Sequence, residues 1–412
     1  MSRGPLDRAD ARGLRAAIAF VWLTGCAADP APLPPGLVGN PGSQFHAADD
    51  PNLFWVETSL NGGPTRLVIA DTGAPIVLLD TEAFDGAVPA GSGQVARMSL
   101  GGTVLSKVPT VGIRGQGELA PDGQPFGGIV GYTAFADFAV TFDYRQKQLV
   151  LGAASLPDGL VPAVSVPFSL EGGGFAQLPN DDSEISFPPS RIIIAGELEG
   201  HPLTFVLDTG ASWMAVTTGF FDQITADGRG TVTVDAGLAG GETSAELARM
   251  RALSVAGLEV DDTVAVAGSR IDDLLDTLGR EVGHAVDGLL GAPFLRHFFV
   301  TVDYPNTRVD FRRYADESFI VDDYRKVGID LREATAAKGS AFVVARVYPG
   351  TDAEQQGIAD GAELLTVDGE ALAGLSLAAA QRKLLGPVHS LHRLVFADRT
   401  IDVAVDDLLP LP

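Results

Sequence analysis

One cysteine, Cys26, is all that the 412-residue chain contains. No disulfide framework and no cysteine cage for a metal can be built from it. Histidine is equally thin. The six residues (His46, His201, His284, His297, His389, His392) are scattered, and the His389/His392 pair lacks a third ligand, so no metal or cofactor is expected. Basic side chains are outnumbered, 29 Lys and Arg against 53 Asp and Glu, for a net charge of −24. A surface that acidic disfavours nucleic acid and anionic headgroups as partners and repels copies of itself, so a monomer is expected. No Gly-x-Ser-x-Gly elbow is present to anchor serine hydrolase chemistry. Aromatics are only 7%, whereas Gly and Pro number 49 and 26. That balance suits a β-rich, turn-rich protein, and the length allows two or three domains.

The first 25 residues read as a targeting segment rather than fold. Arg3, Arg8, Arg12 and Arg15 precede a short apolar run at 16–24, AAIAFVWLT, too short to span a bilayer. Leu23-Thr24-Gly25-Cys26 resembles the lipobox of bacterial lipoproteins, which implies that Cys26 is lipidated and becomes the mature N-terminus. A plain signal peptide is the alternative. Removal of 1–25 would take the charge to −26. Ala27 and Ala28 follow with no Asp, so the resemblance points to the outer membrane of the bacterial envelope, facing the periplasm. Residues 26–50, with APLPPG at 31–36, read as a flexible tether.

From residue 51 the chain repeats itself. LVIADTGAP at 67–75 is an apolar, β-rich run that ends in Asp71-Thr72-Gly73, and LTFVLDTGAS at 203–212 ends in Asp208-Thr209-Gly210. A single such triplet reads as a turn. Here each is preceded by strand, Gly turn, strand, and followed downstream by a second matched segment: GGIVGYTAFADFAVTFDY at 127–144 and DGLLGAPFLRHFFVTVDY at 287–304. Gly131 stands 12 positions before Asp143, and Gly291 stands 12 before Asp303. Asp143-Tyr144 and Asp303-Tyr304 read as strand-end turns. Two copies of one β-rich unit follow, at 51–153 and 189–315, joined by a connection at 154–188 with one expected strand near 166–170. The second copy carries 18 extra residues after its Asp-Thr-Gly. These include 231–250, a hairpin with a Gly-rich tip at Gly237, Leu238, Ala239, Gly240 and Gly241.

Paired carboxyls from matching loops suggest a use. Brought together at a pseudo-twofold axis, Asp71 and Asp208 cannot both ionise cheaply and would hold one proton between them. One could then take a proton from water while the other gives one to a carbonyl oxygen.

On these residues the chain resembles aspartic proteases of the pepsin/retropepsin superfamily, and most of all bacterial retropepsin-like proteins with a C-terminal PDZ domain. Both Asp-Thr-Gly-Ala motifs match, as do Ile129-Val130-Gly131 and Leu289-Leu290-Gly291. The resemblance implies an all-β bilobal acid-protease fold, two pseudo-symmetric barrel-like lobes, followed by a small α+β PDZ domain at 322–410. It implies an aspartic endopeptidase in which Asp71 and Asp208 are the catalytic dyad. Thr72 and Thr209 would cross-link the loops by hydroxyl hydrogen bonds, and Gly73 and Gly210 would permit their close approach. Ala74 and Ala211 stand where pepsins tend to have Ser or Thr. Loss of that hydroxyl should raise the dyad's pKa values and give a mildly acidic to near-neutral optimum. The hairpin would be a single flap, although a surface hairpin is the alternative. No tyrosine occurs in 231–250 to match the pepsin flap.

At 345–372, ARVYPGTDAEQQGIADGAELLTVDGEAL resembles a PDZ core, with LAAAQRKLL at 377–385 as its helix. Gly328, Ile329, Asp330 and Leu331 sit where that family binds a peptide or C-terminus. Gly361-Ala362 departs from the usual Gly-Asp and leaves the ligand open. The partners implied are protein or peptide substrates, a PDZ ligand and a lipid anchor. A catalytically silent peptide-binding or scaffolding protein is the competing reading. The two complete motifs favour the enzyme.

Overall fold

The computed structural model describes residues 52–412 apart from 89–90, 102, 114–119, 121–123, 153, 155, 178–183, 239–240 and 337–338, together with short backbone stretches at 17–18, 36–38 and 43–44. Most of the leader, Cys26 and most of the tether lie outside the described residues. The chain divides into two compact units, one running up to Ile320 and one spanning Val321–Pro410. Both are mostly β.

In the first unit, each sequence repeat forms the same ring of six strands. The first ring runs Gly91–Leu100, Thr103–Ile113, Val77–Asp80, Gly128–Val130, Thr65–Ala70 and Trp55–Leu60, and closes back onto Gly91–Leu100. The second runs Gly241–Val255, Leu258–Ala267, Met214–Val216, Gly288–Leu290, His201–Leu207 and Arg191–Leu198, and closes likewise. Strand directions agree pair by pair. Thr65–Ala70 runs parallel to Gly128–Val130 as His201–Leu207 does to Gly288–Leu290. Closure removes the free edges that an apolar, β-branched sheet would otherwise expose. The alternation of buried and exposed residues along Trp55–Leu60 and Arg191–Leu198 then puts Phe54, Val56, Leu60, Ile192, Ile194 and Leu198 into one continuous core.

A further sheet joins the repeats. Their last strands, Ala139–Asp143 and Phe298–Asp303, pair antiparallel with Thr141 opposite Thr301, and those two hydroxyls meet at 2.9 Å. Gln148–Leu151 extends the sheet on one side, Arg308–Arg313 and Val164–Pro167 on the other. Asp143 accepts from the backbone N–H groups of Arg145 and Gln146, and Asp303 from that of Asn306, so both close turns at the ends of these strands.

The connection between repeats is more ordered than its Gly- and Pro-rich sequence conveys. The single strand expected there begins two residues earlier, as Val164–Pro167, and Leu170–Glu171 is a separate short strand against Arg191–Leu198. A hairpin follows, Gly174–Gln177 against Glu184–Phe187. Phe187 is buried among Ala74, Ile76, Leu78, Val111 and Ile129 of the first repeat.

The extra residues of the second repeat form a helix, Thr218–Thr225, and a strand, Thr231–Leu238, which pairs with the start of Gly241–Val255 outside the ring. In the first repeat the corresponding described residues, 81–88, are mainly turns. A second helix, Ser269–Val282, packs through Ile271, Leu274, Leu275 and Leu278. That spacing is the signature of one apolar helical face.

The Val321–Pro410 unit is a sheet with two short helices, Asp352–Gln355 and Leu377–Arg382. Its core includes Val327, Ile329, Leu331, Val344, Leu394 and Val405. Ile329–Ala336 lies at one edge, paired on one side with Gly339–Val347.

Candidate active site

Each candidate carboxyl stands at the end of a buried strand whose parallel partner fixes the loop. Ile69 and Ala70 pair with Ile129 and Val130, and the Asp71 N–H then donates to the Val130 carbonyl at 2.9 Å. Val206 and Leu207 pair with Leu289 and Leu290, and the Asp208 N–H donates to Leu290 at 3.1 Å. The chain turns back at once. Tyr132 N–H reaches the Ala74 carbonyl, and Ala292 N–H reaches that of Ala211, both at 2.9 Å. A methyl on Gly131 would sit 2.3 Å from the Ala74 oxygen, and one on Gly291 the same distance from the Trp213 oxygen. The hydrophobic-hydrophobic-Gly element therefore needs glycine so that the two loop segments can touch.

The threonines tie the loops together across the repeats. Thr72 Oγ1 donates to the Leu207 carbonyl at 3.0 Å and accepts from Thr209 N–H at 3.1 Å. Thr209 Oγ1 donates to the Ala70 carbonyl and accepts from Thr72 N–H, each at 3.0 Å. All four bonds are buried. Only a hydroxyl can donate and accept at one atom in this way.

The carboxyls meet above this lattice. Gly73 N–H donates to Asp71 Oδ1 at 2.6 Å and Gly210 N–H to Asp208 Oδ1 at 2.8 Å. A methyl on Gly73 would lie 2.6 Å from the Asp208 carboxyl carbon, and one on Gly210 2.4 Å from that of Asp71. Each carboxyl is thus packed on the opposite loop's glycine. Asp71 is 3% exposed and Asp208 1%. Burial pushes both above the usual carboxylate range. Asp71 is raised further by the charge of Asp208 and by its hydrogen bond to it, while that same bond lowers Asp208. Two like charges so placed cannot both ionise cheaply, so the pair favours holding one proton between them. Ala74 and Ala211 are both buried beside the pair and offer it no side-chain donor.

An arginine that sequence reasoning did not single out also reaches this loop. Arg191, 1% exposed, donates through Nη1 to the Gly73 carbonyl. Its Nε and Nη2 donate to Glu281 Oε2 at 3.1 and 3.0 Å. A lone Arg ahead of the apolar run at 192–194 was the only signal, and Glu281 lies 90 positions away.

The remaining sequence-predicted residues fall elsewhere. Gly237, Leu238 and Gly241 belong to the paired strand ends of the hairpin, where Leu238 stands opposite Gly241; Ala239 and Gly240 lie outside the described residues. Cys26 also lies outside them. Gly328, Ile329, Asp330 and Leu331 are in the other unit. There Ile329 and Leu331 are buried in its core, Asp330 accepts from Lys326 Nζ and from the Tyr348 hydroxyl, and the Leu331 carbonyl accepts from Gln381 Nε2 at 3.1 Å. His392 is bonded to Asp368 at 2.6 Å.

Residues 194–294 match an aspartyl protease family. The match spans Asp208-Thr209-Gly210 and Leu289-Leu290-Gly291 and ends before the second repeat does. Among solved structures, the aspartic proteinase from Irpex lacteus is similar at 13% identity and a TM-score of 0.42, over 69% of this chain and 99% of that one. No curated protein matches the chain. Over those residues the second repeat is similar to aspartyl protease domains, and the first, outside the matched residues, builds the same ring and the same Asp-Thr-Gly loop.

Proposed function

We propose that the protein is an aspartic endopeptidase whose catalytic pair is Asp71 and Asp208. The observation that carries this is the pair itself: two buried carboxyls, one from each repeat, each packed on the other loop's glycine. A structural pair of like charges would be costly with no return. A pair that keeps one proton is an acid and a base side by side.

In the reaction the ionised carboxyl of the pair takes a proton from a water held between Asp71 and Asp208, and the oxygen attacks the peptide carbonyl carbon. The protonated carboxyl gives its proton to the carbonyl oxygen, so the tetrahedral intermediate forms neutral. In collapse the amide nitrogen receives the proton taken from water, the C–N bond breaks, and the other carboxyl recovers a proton from the intermediate's hydroxyl. No covalent acyl-enzyme forms, and the pair returns to its starting state. The two rings are the lobes of a bilobal acid-protease fold in this reading. The 231–248 hairpin is a single flap that closes over the bound peptide and excludes water.

The Val321–Pro410 unit reads as a PDZ domain that recognises an extended peptide or C-terminus along the Ile329–Ala336 edge. Its edge position and the small helix beside it support this. Cys26 would anchor the whole to the envelope, facing the periplasm.

The test is cleavage of a denatured protein by residues 27–412, across about pH 3 to 8, against Asp71→Asn and Asp208→Asn. Each substitution should abolish cleavage, since one carboxyl cannot be both acid and base. Equal behaviour of wild type and variants sinks the reading. Peptide binding without cleavage by wild type would instead favour a catalytically silent peptide holder.

A further inference from the structure

The two repeats match strand for strand, but the surroundings of their loops do not match in charge. In the first ring Trp55 pairs with Ile69, and in the second Ile193 pairs with Val206. Ile69 and Val206 each stand two residues before their Asp, so the counterpart of Arg191 in the first repeat is Leu53. Leu53 is fully buried and apolar. One side of the pair therefore has a buried cation that the other lacks.

We propose that the Arg191–Glu281 pair is a positioning element for the carboxyl pair. It fixes the Asp71 loop to the second repeat and turns a positive charge toward both carboxyls. This inference rests on the peptidase reading, since it assigns a role within that site.

The geometry supports it in three ways. Arg191 spans two repeats: its backbone belongs to the second, and its Nη1 holds the Gly73 carbonyl of the first. That carbonyl is two residues from Asp71, on the glycine packed against Asp208. Glu281 binds Nε and Nη2 of the guanidinium, so the ion pair is neutral in sum but oriented, with Nη1 on the Gly73 carbonyl. The pair is also dry, at 1% and 4% exposure, so its field is poorly screened. Arg191 accordingly pulls both carboxyls down, against the upward push of burial.

Other titratable groups among the described residues face the same elements. Arg280, next to Glu281 on the Ser269–Val282 helix, lowers Glu281, which burial raises. Glu171, opposite Arg191 in the neighbouring strand, is partly exposed and bonds His284. Tyr304 is kept protonated by burial and feels Asp71 and Tyr132. None of these replaces the charge of Arg191.

Removing Arg191 alone would leave Glu281 buried and unpaired, which endangers the fold. The test therefore uses Arg191→Met/Glu281→Leu, where an apolar pair fills the volume and the fold is retained. Two readouts are taken. The pH profile of kcat/KM reports the acid limb, which requires one ionised carboxyl. Carbon-13 NMR of Asp-labelled protein reports the titration of the pair with no need for turnover.

The double variant should melt within a few degrees of wild type, yet its acid limb and the carboxyl titration should both move up by about half a pH unit or more. Activity one unit below the limb should fall by about 3- to 10-fold. Arg191→Lys keeps the charge and should keep the wild-type limb. His284→Gln should leave it in place. A folded double variant with a profile and titration superimposed on wild type overturns the inference. A moved titration with no cleavage by any form would sink the peptidase reading and leave the positioning role standing.

Discussion

Replacing Asp71 by asparagine should stabilise the fold at neutral pH while it abolishes cleavage. As a general scale, two unit charges near contact, about 4 Å, repel by about 4 kcal/mol at an effective dielectric of about 20. Repulsion of that size, added to burial, raises the pair above the usual carboxylate range and favours keeping one proton on it. In the unfolded chain both aspartates lose their protons above about pH 4. The folded pKa of Asp71 is raised above its unfolded value, so this contribution to stability is intact below about pH 4 and lost as pH rises toward the folded value. The slope is about 1.4 kcal/mol per pH unit for one proton. Once both carboxyls are ionised, the pair costs the native state at most about that repulsion, reduced by whatever Arg191 returns. The asparagine side chain never ionises, keeps the shape, and can donate its amide N–H to Asp208. Urea unfolding at pH 4, 6 and 8 checks this. The variant should match wild type near pH 4 and exceed it by about 2 kcal/mol or more at pH 8. Parallel stability curves at all three values would refute the shared-proton account.

Three further outcomes follow from the same geometry. Thr72→Ala or Thr209→Ala leaves a buried N–H and a buried carbonyl without their partner, and should cost about 2 to 3 kcal/mol in urea unfolding, with Thr→Ser recovering most of it. Gly73→Ala drives a methyl to 2.6 Å from the Asp208 carboxyl carbon; kcat/KM should drop by about 100-fold or more, whereas Gly219→Ala, with open space around it, should be neutral in the same assay. Replacing 235–242 by a tight turn should lower kcat/KM by about tenfold or more and leave the melting temperature nearly unchanged, because the hairpin end lies outside the closed ring.

What the sequence made legible is what the repeat made redundant. Two Asp-Thr-Gly loops, each with its later Gly at matched spacing to the strand-end Asp, define parallel registers that the rings need for closure. The local glycine and threonine chemistry is readable because it works within a few residues. Arg191 and Glu281 were not readable. Their pairing depends on where the Ser269–Val282 helix packs, and nothing in either neighbourhood announces the other. Ile271, Leu274, Leu275 and Leu278 did carry the helix signal, masked by the strand pattern on either side. The 174–187 hairpin was hidden for a different reason. Its flanks are rich in Gly, Pro and acidic residues, and the burial that holds Phe187 comes from the first repeat, more than 70 residues earlier in the chain for most of its neighbours.

The pairing of Thr141 with Thr301 has a consequence for concentration. The sheet that joins the repeats is completed only when both contribute a strand, so either half made alone would present the bare edge of Ala139–Asp143 or Phe298–Asp303. Separate halves would have to find each other by collision, and both carry net negative charge. One polypeptide makes that meeting intramolecular, at an effective concentration set by the connection rather than by expression level. The carboxyl pair therefore assembles as fully in a dilute compartment as in a crowded one.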